Sequence, residues 1–465
     1  MRKPGFFLLL LFILTNASAQ KATDYRKQQN YKEWVHIAPK FDDDFFKTEE
    51  AQRIGDNVLL YQQITGGWPK NIYMPAELTE QEYKAALKAK EDINQSTIDN
   101  NATTTEIEYL ARLYLATQKE KYKEGVLNGI QYLLKSQYEN GGWPQFYPRP
   151  KGYYVQITYN DNAMVRVMNQ LRSIYEKKAP YTFLPDNICE QARNAFNKGI
   201  ECILKTQVCQ NGELTVWCAQ HDRVTLEPCK ARAYELPSLS GQESDNIVLL
   251  LMSLPNPSTD IVKSIEGAIK WFQKSKIKGI QKEYFTNGEG KKDYRMVPCE
   301  DCPTLWARFY ELETNRPFFC DRDGIKKYDI SEIGHERRNG YSWYNKDGSK
   351  VLKRYEKWKK EQKSWFLKYF QNELFVACSY APCSANSLRN IPEGSYSEMF
   401  RKVSEGLSAE KMHRYDADEI IWLNNQKADD YTRECKVCKH IGKVDENGLC
   451  SLCNKIQKLS NDVLY

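Results

Sequence analysis

One pentapeptide pattern occurs twice in this chain, as Gly66-Gly67-Trp68-Pro69-Lys70 and as Gly141-Gly142-Trp143-Pro144-Gln145. Each copy is followed by an Asp-Asn pair that opens an apolar-periodic segment: Asp99-Asn100-Asn101-Ala102-Thr103 after the first, Asn160-Asp161-Asn162-Ala163-Met164 after the second. Each unit therefore reads as loop, carboxylate, helix, and carboxylates at helix starts converge when the helices repeat around an axis. Asp and Asn also cap helices, because their side-chain oxygens accept backbone N–H bonds. The pairs thus admit a purely structural reading beside the functional one.

Between the loops the apolar period is helical. Tyr122, Val126, Ile130, Leu133 and Leu134 fall on one face, as do Met164, Met168, Leu171 and Tyr175, and again Ile261, Ile265, Ile269 and Phe272. Thr103 to Gln118 and Pro303 to Thr314 carry similar patterns, which puts Arg308 on a helix, and strand-like alternation is scarce. The expectation is a mostly α chain, a helical (α/α) toroid whose stacked pairs bury their inner faces jointly and gather long functional loops at one end.

The N-terminus reads as an export leader over residues 1–19. Arg2 and Lys3 precede an apolar run from Phe6 to Leu14, and Ala17-Ser18-Ala19 supplies small residues for cleavage before Gln20. No later stretch is apolar enough for a membrane span, so the expected location is periplasmic or secreted. With 465 residues, 41% of them hydrophobic, the chain is long enough for one large core and a smaller second one. A net charge of +6, from 67 basic and 61 acidic residues, is too balanced to announce a nucleic-acid binder and is compatible with an anionic substrate. The 30 tyrosines and 10 tryptophans offer flat faces for sugar rings, although core filling uses aromatic residues in the same way.

The stretch from Trp217 to Ser244 is polar and nonrepetitive, with His221, Asp222, Arg223, Glu227, Lys230, Arg232, Glu235 and Glu243. A loop this long is usually functional. His221 stands alone, without a Gly-x-Ser-x-Gly elbow or paired metal-binding histidines, so it reads as a loop-orienting or substrate-contacting group. Glu106 and Glu108 read as helix surface or packing charges. Farther on, Arg308 and Arg322 lie 14 residues apart, the second in the turn Asp321-Arg322-Asp323-Gly324.

Taken in order, GGWPK, DNNAT, GGWPQFYP, TYNDNAM, WCAQHD with ARAYELPSLSG, and LWARFYELETNRPFFCDRDG resemble the family-10 polysaccharide lyases, bacterial pectate lyases, over about residues 25–362. The resemblance implies a helical toroid that cleaves polygalacturonate, the pectin backbone, by calcium-assisted β-elimination. By resemblance, Asp161 is the principal calcium ligand, with Asp99 and Asn100 beside it at the substrate. Order and spacing in the family motif make Arg322 the acceptor of the C5 proton. Arg232 and Arg308 become carboxylate clamps, since a guanidinium fork pairs bidentately with a planar carboxylate, and Lys70 reaches another uronate as a point charge. The alternatives are a helical-toroid glycoside hydrolase using paired carboxylates, or a uronate-binding protein without catalysis.

The resemblance stops near Gln362, and residues 363–465 match nothing of the lyase. There Cys435-x-x-Cys438 and Cys450-x-x-Cys453, eleven residues apart, have the spacing of a four-cysteine zinc ribbon. Two disulfides are the alternative for an exported chain. Cys218 with Cys229, and Cys299 with Cys302, are further pairs that oxidation could join. No dense basic-aromatic stripe accompanies the ribbon, and no nucleic-acid partner is expected for the lyase part.

Overall fold

The computed structural model describes residues 33–362 together with the strands Arg433–Glu434 and Ile441–Gly442. Residues 33–250 with 270–348 form one compact unit, and residues 251–269 with 349–362 belong to a second. In the first unit the helices Glu49–Tyr61, Thr104–Thr117, Glu120–Lys135, Ala163–Tyr175 and Asp186–Thr206 carry a large share of the core. Each is amphipathic. In Asp186–Thr206 the residues Ile188, Ala192, Ala195, Phe196, Gly199 and Ile203 are buried at the three- and four-residue spacing of one helix face. Thr48 caps the first of the five through its hydroxyl, which accepts from Ala51 N at 3.1 Å.

The architecture is a mixture of helices and small antiparallel sheets, which corrects the expectation of a mostly α (α/α) toroid. A four-stranded sheet runs in the order Lys326–Lys327, Pro317–Cys320, Phe309–Tyr310, Leu239–Ser240, and Ile280–Thr286 pairs with Lys292–Pro298 as a hairpin. Two-residue strands pair Ile157 with His221 and Asn345 with Trp306. The stretch Pro303 to Thr314, read as a helix, forms the strands Trp306–Ala307 and Phe309–Tyr310 instead. Its aromatic side chains suit a pleated, buried surface. Phe309 lies opposite both Phe318 and Ser240, and with Tyr234, Phe319 and Trp343 it belongs to an aromatic core against which helical periodicity loses.

The second unit contains residues 349–362 of a helix, on which Val351 and Trp358 are buried and the Tyr355 and Trp358 rings stack 5.8 Å apart. Arg354 donates to Met252 O at 3.4 Å. The export leader 1–19 and the cysteines Cys435, Cys438, Cys450 and Cys453 lie outside the described residues. Among the described residues no group of three or more His, Cys, Asp or Glu is placed to hold a metal ion. Cys299 and Cys302 are joined as a disulfide, whereas Cys218 and Cys229 are free thiols. Among the described residues no helix is long and apolar enough to cross a membrane.

Candidate active site

The site is assembled by a device that recurs four times, not twice. The indole N–H of Trp68 donates to Val58 O at 2.7 Å, that of Trp143 to Leu133 O at 2.8 Å, that of Trp217 to Ile203 O at 2.7 Å and that of Trp306 to Phe272 O at 2.9 Å. In every unit the residue five positions past the accepting carbonyl donates its backbone N–H to the residue just before the tryptophan. These pairs are Gln63 to Gly67, Tyr138 to Gly142, Val208 to Val216 and Ile277 to Leu305. All four indoles are buried, so each N–H needs a partner, and the helix-end carbonyl provides it. The residue two places past each tryptophan is then Lys70, Gln145, Ala219 or Arg308. Lys70 and Arg308 thus occupy the same place in the first and fourth units.

The tryptophan carbonyls hold the next segment in place. Trp68 O accepts from Thr97 N, and Trp143 O from Thr158 N, both at 3.0 Å. Two residues on, the chain enters a tight turn, Asp99–Asn101 in one unit and Asn160–Asn162 in the other. The turns superimpose in register: Asn100 has φ 50°, ψ 36° and Asp161 has φ 51°, ψ 30°. Asn and Asp tolerate this left-handed conformation best among residues with a side chain. Neither side chain caps its helix, so the capping role open in the sequence is not the one these residues play.

Lys70, Asp99, Asn100, Asp161, Arg232 and Glu235 line one cleft, with Gln145, Tyr153, Asn160 and Gln220 completing it. Asp99 is buried and paired to Lys70. The Asp161 side chain is 43% exposed, accepts from Asn160 Nδ2 at 2.7 Å and lies 3.6 Å from Arg308. Arg232 donates to Glu235 through both Nε and Nη2, and Tyr341 OH donates to the same carboxylate at 2.8 Å. Burial opposes the charge of Arg232, but the Glu235 fork outweighs it and holds the guanidinium above its usual range. The same balance applies to Arg308, which is buried, bonded to Glu243 at 2.6 Å and seated 4.3 Å over the Tyr341 ring.

Five of the residues singled out in the sequence therefore meet at one cleft, Lys70, Asp99, Asn100, Asp161 and Arg232. Arg308 reaches Asp161 from behind, from between two strands, and is not a helix-surface charge. Arg322 is not among the residues lining the cleft: it is exposed, forks onto Glu336, and stands 6.0 Å from the Tyr234 ring that Arg232 also faces. That ion pair raises its pKa. His221 is fully buried, bonded through Nδ1 to Leu226 O at 2.8 Å and through Nε2 to Cys218 N at 3.1 Å. The neutral ring with its proton on Nδ1 satisfies both bonds, and burial pushes the imidazole down to about 4. This histidine orients its loop.

Two groups were missed or misread. Glu106, taken for an ordinary helix charge, is buried and receives Trp34 Nε1 at 2.7 Å. Arg166 drew no attention, and its Nε is buried without a partner.

Comparison with known proteins finds likenesses of two kinds. A sequence profile described as pectic acid lyase matches residues 62–352, and one described as Csm1 subunit domain B matches residues 346–426. A family 10 polysaccharide lyase from Cellvibrio cellulosa is similar at 36% identity and a TM-score of 0.57, over 72% of this chain and 97% of its own. A point mutant of that enzyme in complex with trigalacturonic acid gives the same identity and TM-score, over 70% and 96%. The curated relatives are of another kind. They include CRISPR system single-strand-specific deoxyribonucleases Cas10/Csm1 (subtype III-A) from Enterococcus italicus, 38% identical over 104 residues, and from Mycobacterium tuberculosis, 33% identical over 123 residues. These cover 22% and 23% of this chain but only 14% and 15% of the relatives, so the chain spans less than a fifth of their length.

Proposed function

The chain belongs to the pectic acid lyase family, lyases acting on polysaccharides, and from that premise we propose that it cleaves (1→4)-α-D-galacturonan by calcium-assisted β-elimination. The observation that carries this reading is the meeting of Lys70, Arg232 and the carboxylates of Asp99 and Asp161 at one cleft. A cleft that mixes fixed cations with a half-exposed carboxylate suits a polyanion that brings its own carboxylates. The relative bound to trigalacturonic acid supports the same substrate class.

The donor set can be tested against calcium. A hard cation of this kind takes six to eight oxygens at roughly 2.3–2.6 Å. The half-exposed Asp161 carboxylate and the amide oxygen of Asn100 are suitable, while Asp99 is engaged by Lys70 and the Asn160 amide oxygen accepts from Arg308 at 3.3 Å. They fit a cation whose remaining oxygens come from the uronate and water. Asp161 would be its main protein ligand, and the ion would supply charge stabilisation for the carbanion that develops next to the substrate carboxylate.

The chain's own groups do the rest. In β-elimination the C5–H bond breaks, its electron pair becomes the C4=C5 double bond, and the C4–O bond breaks with the glycosidic oxygen taking a proton from solvent. Arg232 is the arginine that lines the cleft, so we assign it the C5 proton and move Arg322 to a flanking contact with the polymer. The assignment has a cost. Arginine titrates at about 12.5 or higher, and Glu235 holds Arg232 more firmly charged still. A base of this kind needs alkaline conditions and a substrate that draws the Glu235 carboxylate away, and the rate should climb steadily with pH. Arg308 holds Asp161 in place, and Lys70 meets a uronate carboxylate.

The leader-like segment 1–19 and the Cys299–Cys302 disulfide support an exported enzyme, since disulfides persist in oxidising compartments. The likeness of the C-terminal region to Cas10/Csm1 proteins supports a second, unrelated segment after the lyase. The decisive assay incubates the full chain with polygalacturonate, with and without calcium, and follows ultraviolet absorbance of the conjugated product. Release of reducing ends without that chromophore would make the enzyme a hydrolase. Binding without either would make it a uronate-binding protein.

A further inference from the structure

Beside the cleft, and sharing Asn100 and Asp161 with it, lies a second depression of about 280 Å³. That is near the lower end of ligand sites, which run from roughly 300 to 1,000 Å³. Trp34, Ile72, Glu106 and Arg166 contribute to its wall. Arg166 is unusual for an arginine. Among the described residues it forms no salt bridge, its Nε is buried without a hydrogen-bond partner, and burial lowers its pKa although Asp161 opposes the shift. A buried donor left unpaired costs on the order of 1–3 kcal/mol, more when charged, so a partner supplied by a ligand would recover that loss.

We propose that this depression is a second uronate subsite, in which Arg166 receives the carboxylate of a sugar neighbouring the one cleaved. The inference rests on the lyase reading above. A (1→4)-linked galacturonan carries one carboxylate per residue, so a chain leaving the cleft past Asp161 needs a further cation there. Arg166, beside His36, is the arginine that lines this depression. Among the described residues Glu106 forms no ion pair with it. Its carboxyl is fully buried, with Oε1 taken by Trp34 and Oε2 unpartnered, and burial pushes it up to about 7.

The test uses the full chain and saturated oligogalacturonates of increasing length, with calorimetric binding and rates of unsaturated-product formation measured in parallel. Arg166→Met keeps the aliphatic stem and removes the charge. KM and dissociation constants for longer oligomers should rise roughly 10- to 100-fold, while the shortest oligomer that is cut should be unaffected. Arg166→Lys should restore part of the loss. Ile72→Trp, from a different loop, should crowd the same depression and reproduce the chain-length effect, and it carries the test if Arg166→Met does not fold. Equal losses at every length would overturn the proposal, because Arg166 would then only be positioning Asp161, and so would no change at any length. If the unaltered protein makes no unsaturated product yet shows the length-dependent binding, the lyase reading falls and the subsite stands.

Discussion

The loops at Gly66–Lys70 and Gly141–Gln145 share a backbone almost bond for bond and differ in chemistry. Gly66 and Gly141 have φ of +93° and +90°, and a side chain at either would strike a carbonyl oxygen, that of Asn128 or of Lys198. Gln62 Nε2 bonds Gly66 O and Gly125 O, and Gln137 Nε2 bonds Gly141 O and Ala195 O. The following turns differ by one register step. The carboxylate is the first residue of the first turn, Asp99, and the second residue of the second, Asp161. That step decides the role, because the first position is buried and closed by Lys70 whereas the second faces the cleft. Gln145 replaces Lys70 in the second unit, so Asp161 is left with no lysine of its own. Fold and chemistry are carried by separate positions of one repeated device.

The strongest way to break this comparison is to move the carboxylate. Asp161→Ala should lower kcat/KM about 10³-fold or more with the fold intact. Asn160→Asp combined with Asp161→Asn, which restores the charge one step earlier, should remain as inactive. Recovery of activity in the double variant would show that register is irrelevant. Next, the glycines should be equally intolerant: Gly141→Ala and Gly66→Ala should each cost about 3 kcal/mol in urea denaturation, because backbone oxygens 1.9 Å and 2.3 Å from the new Cβ cannot step aside. A cost confined to one of them would undo their equivalence.

Protonation sharpens the contrast between the first unit and the third. In the third, His221 has a folded value of about 4 against an ordinary 6.5, so the folded state binds fewer protons between those values and stability falls as pH drops from 6.5 to 4. Glu106 in the first unit works the other way. Its folded value of about 7 against 4.5 means that stability is fullest below pH 4.5 and is lost as pH rises to 7. The two oppose each other over most of this range. Glu106→Gln should therefore gain about 3 kcal/mol relative to the parent between pH 4.5 and 7, and a flat difference curve would contradict it. The smallest expected effect belongs to the indoles. Trp68→Phe and Trp143→Phe should each lose about 1–2 kcal/mol in thermal unfolding, and a marked inequality would mean that the two bonds are not equivalent.

The first two units were legible because their glycines, tryptophans and Asp-Asn pairs stand at short, equal spacings. The accepting carbonyl precedes the tryptophan by 10 residues in both, but by 14 in the third unit and 34 in the fourth. Inserted strands stretch the later repeats beyond what a motif search resolves, and Arg308, read as a carboxylate clamp, was placed on a helix for that reason. Arg232 was legible from its polar loop, whereas the pairing of Arg322 with Glu336 was not, since spacing does not say which way a turn faces. Glu106 and Arg166 carry no local signal at all. Each sits on a helix among neighbours that look ordinary, and only packing tells a buried charge from a solvated one. In the C-terminal region cysteine spacing suggested zinc, while the likeness that emerged is to Cas10/Csm1 proteins.

The left-handed turn at Asp161 has one more consequence, for how such a site changes over generations. Where φ is positive, glutamate is a poor substitute for aspartate, so the backbone narrows the choice before any chemistry is selected. What it leaves open is exchange between Asn and Asp, two side chains of the same shape. At Asp99–Asn101 and Asn160–Asn162 the chain holds two differently spelled solutions to one geometry. A carboxylate can therefore walk along the turn by single replacements that leave the scaffold undisturbed, and a lineage can gain or silence the cleft-facing group without first having to refold around it.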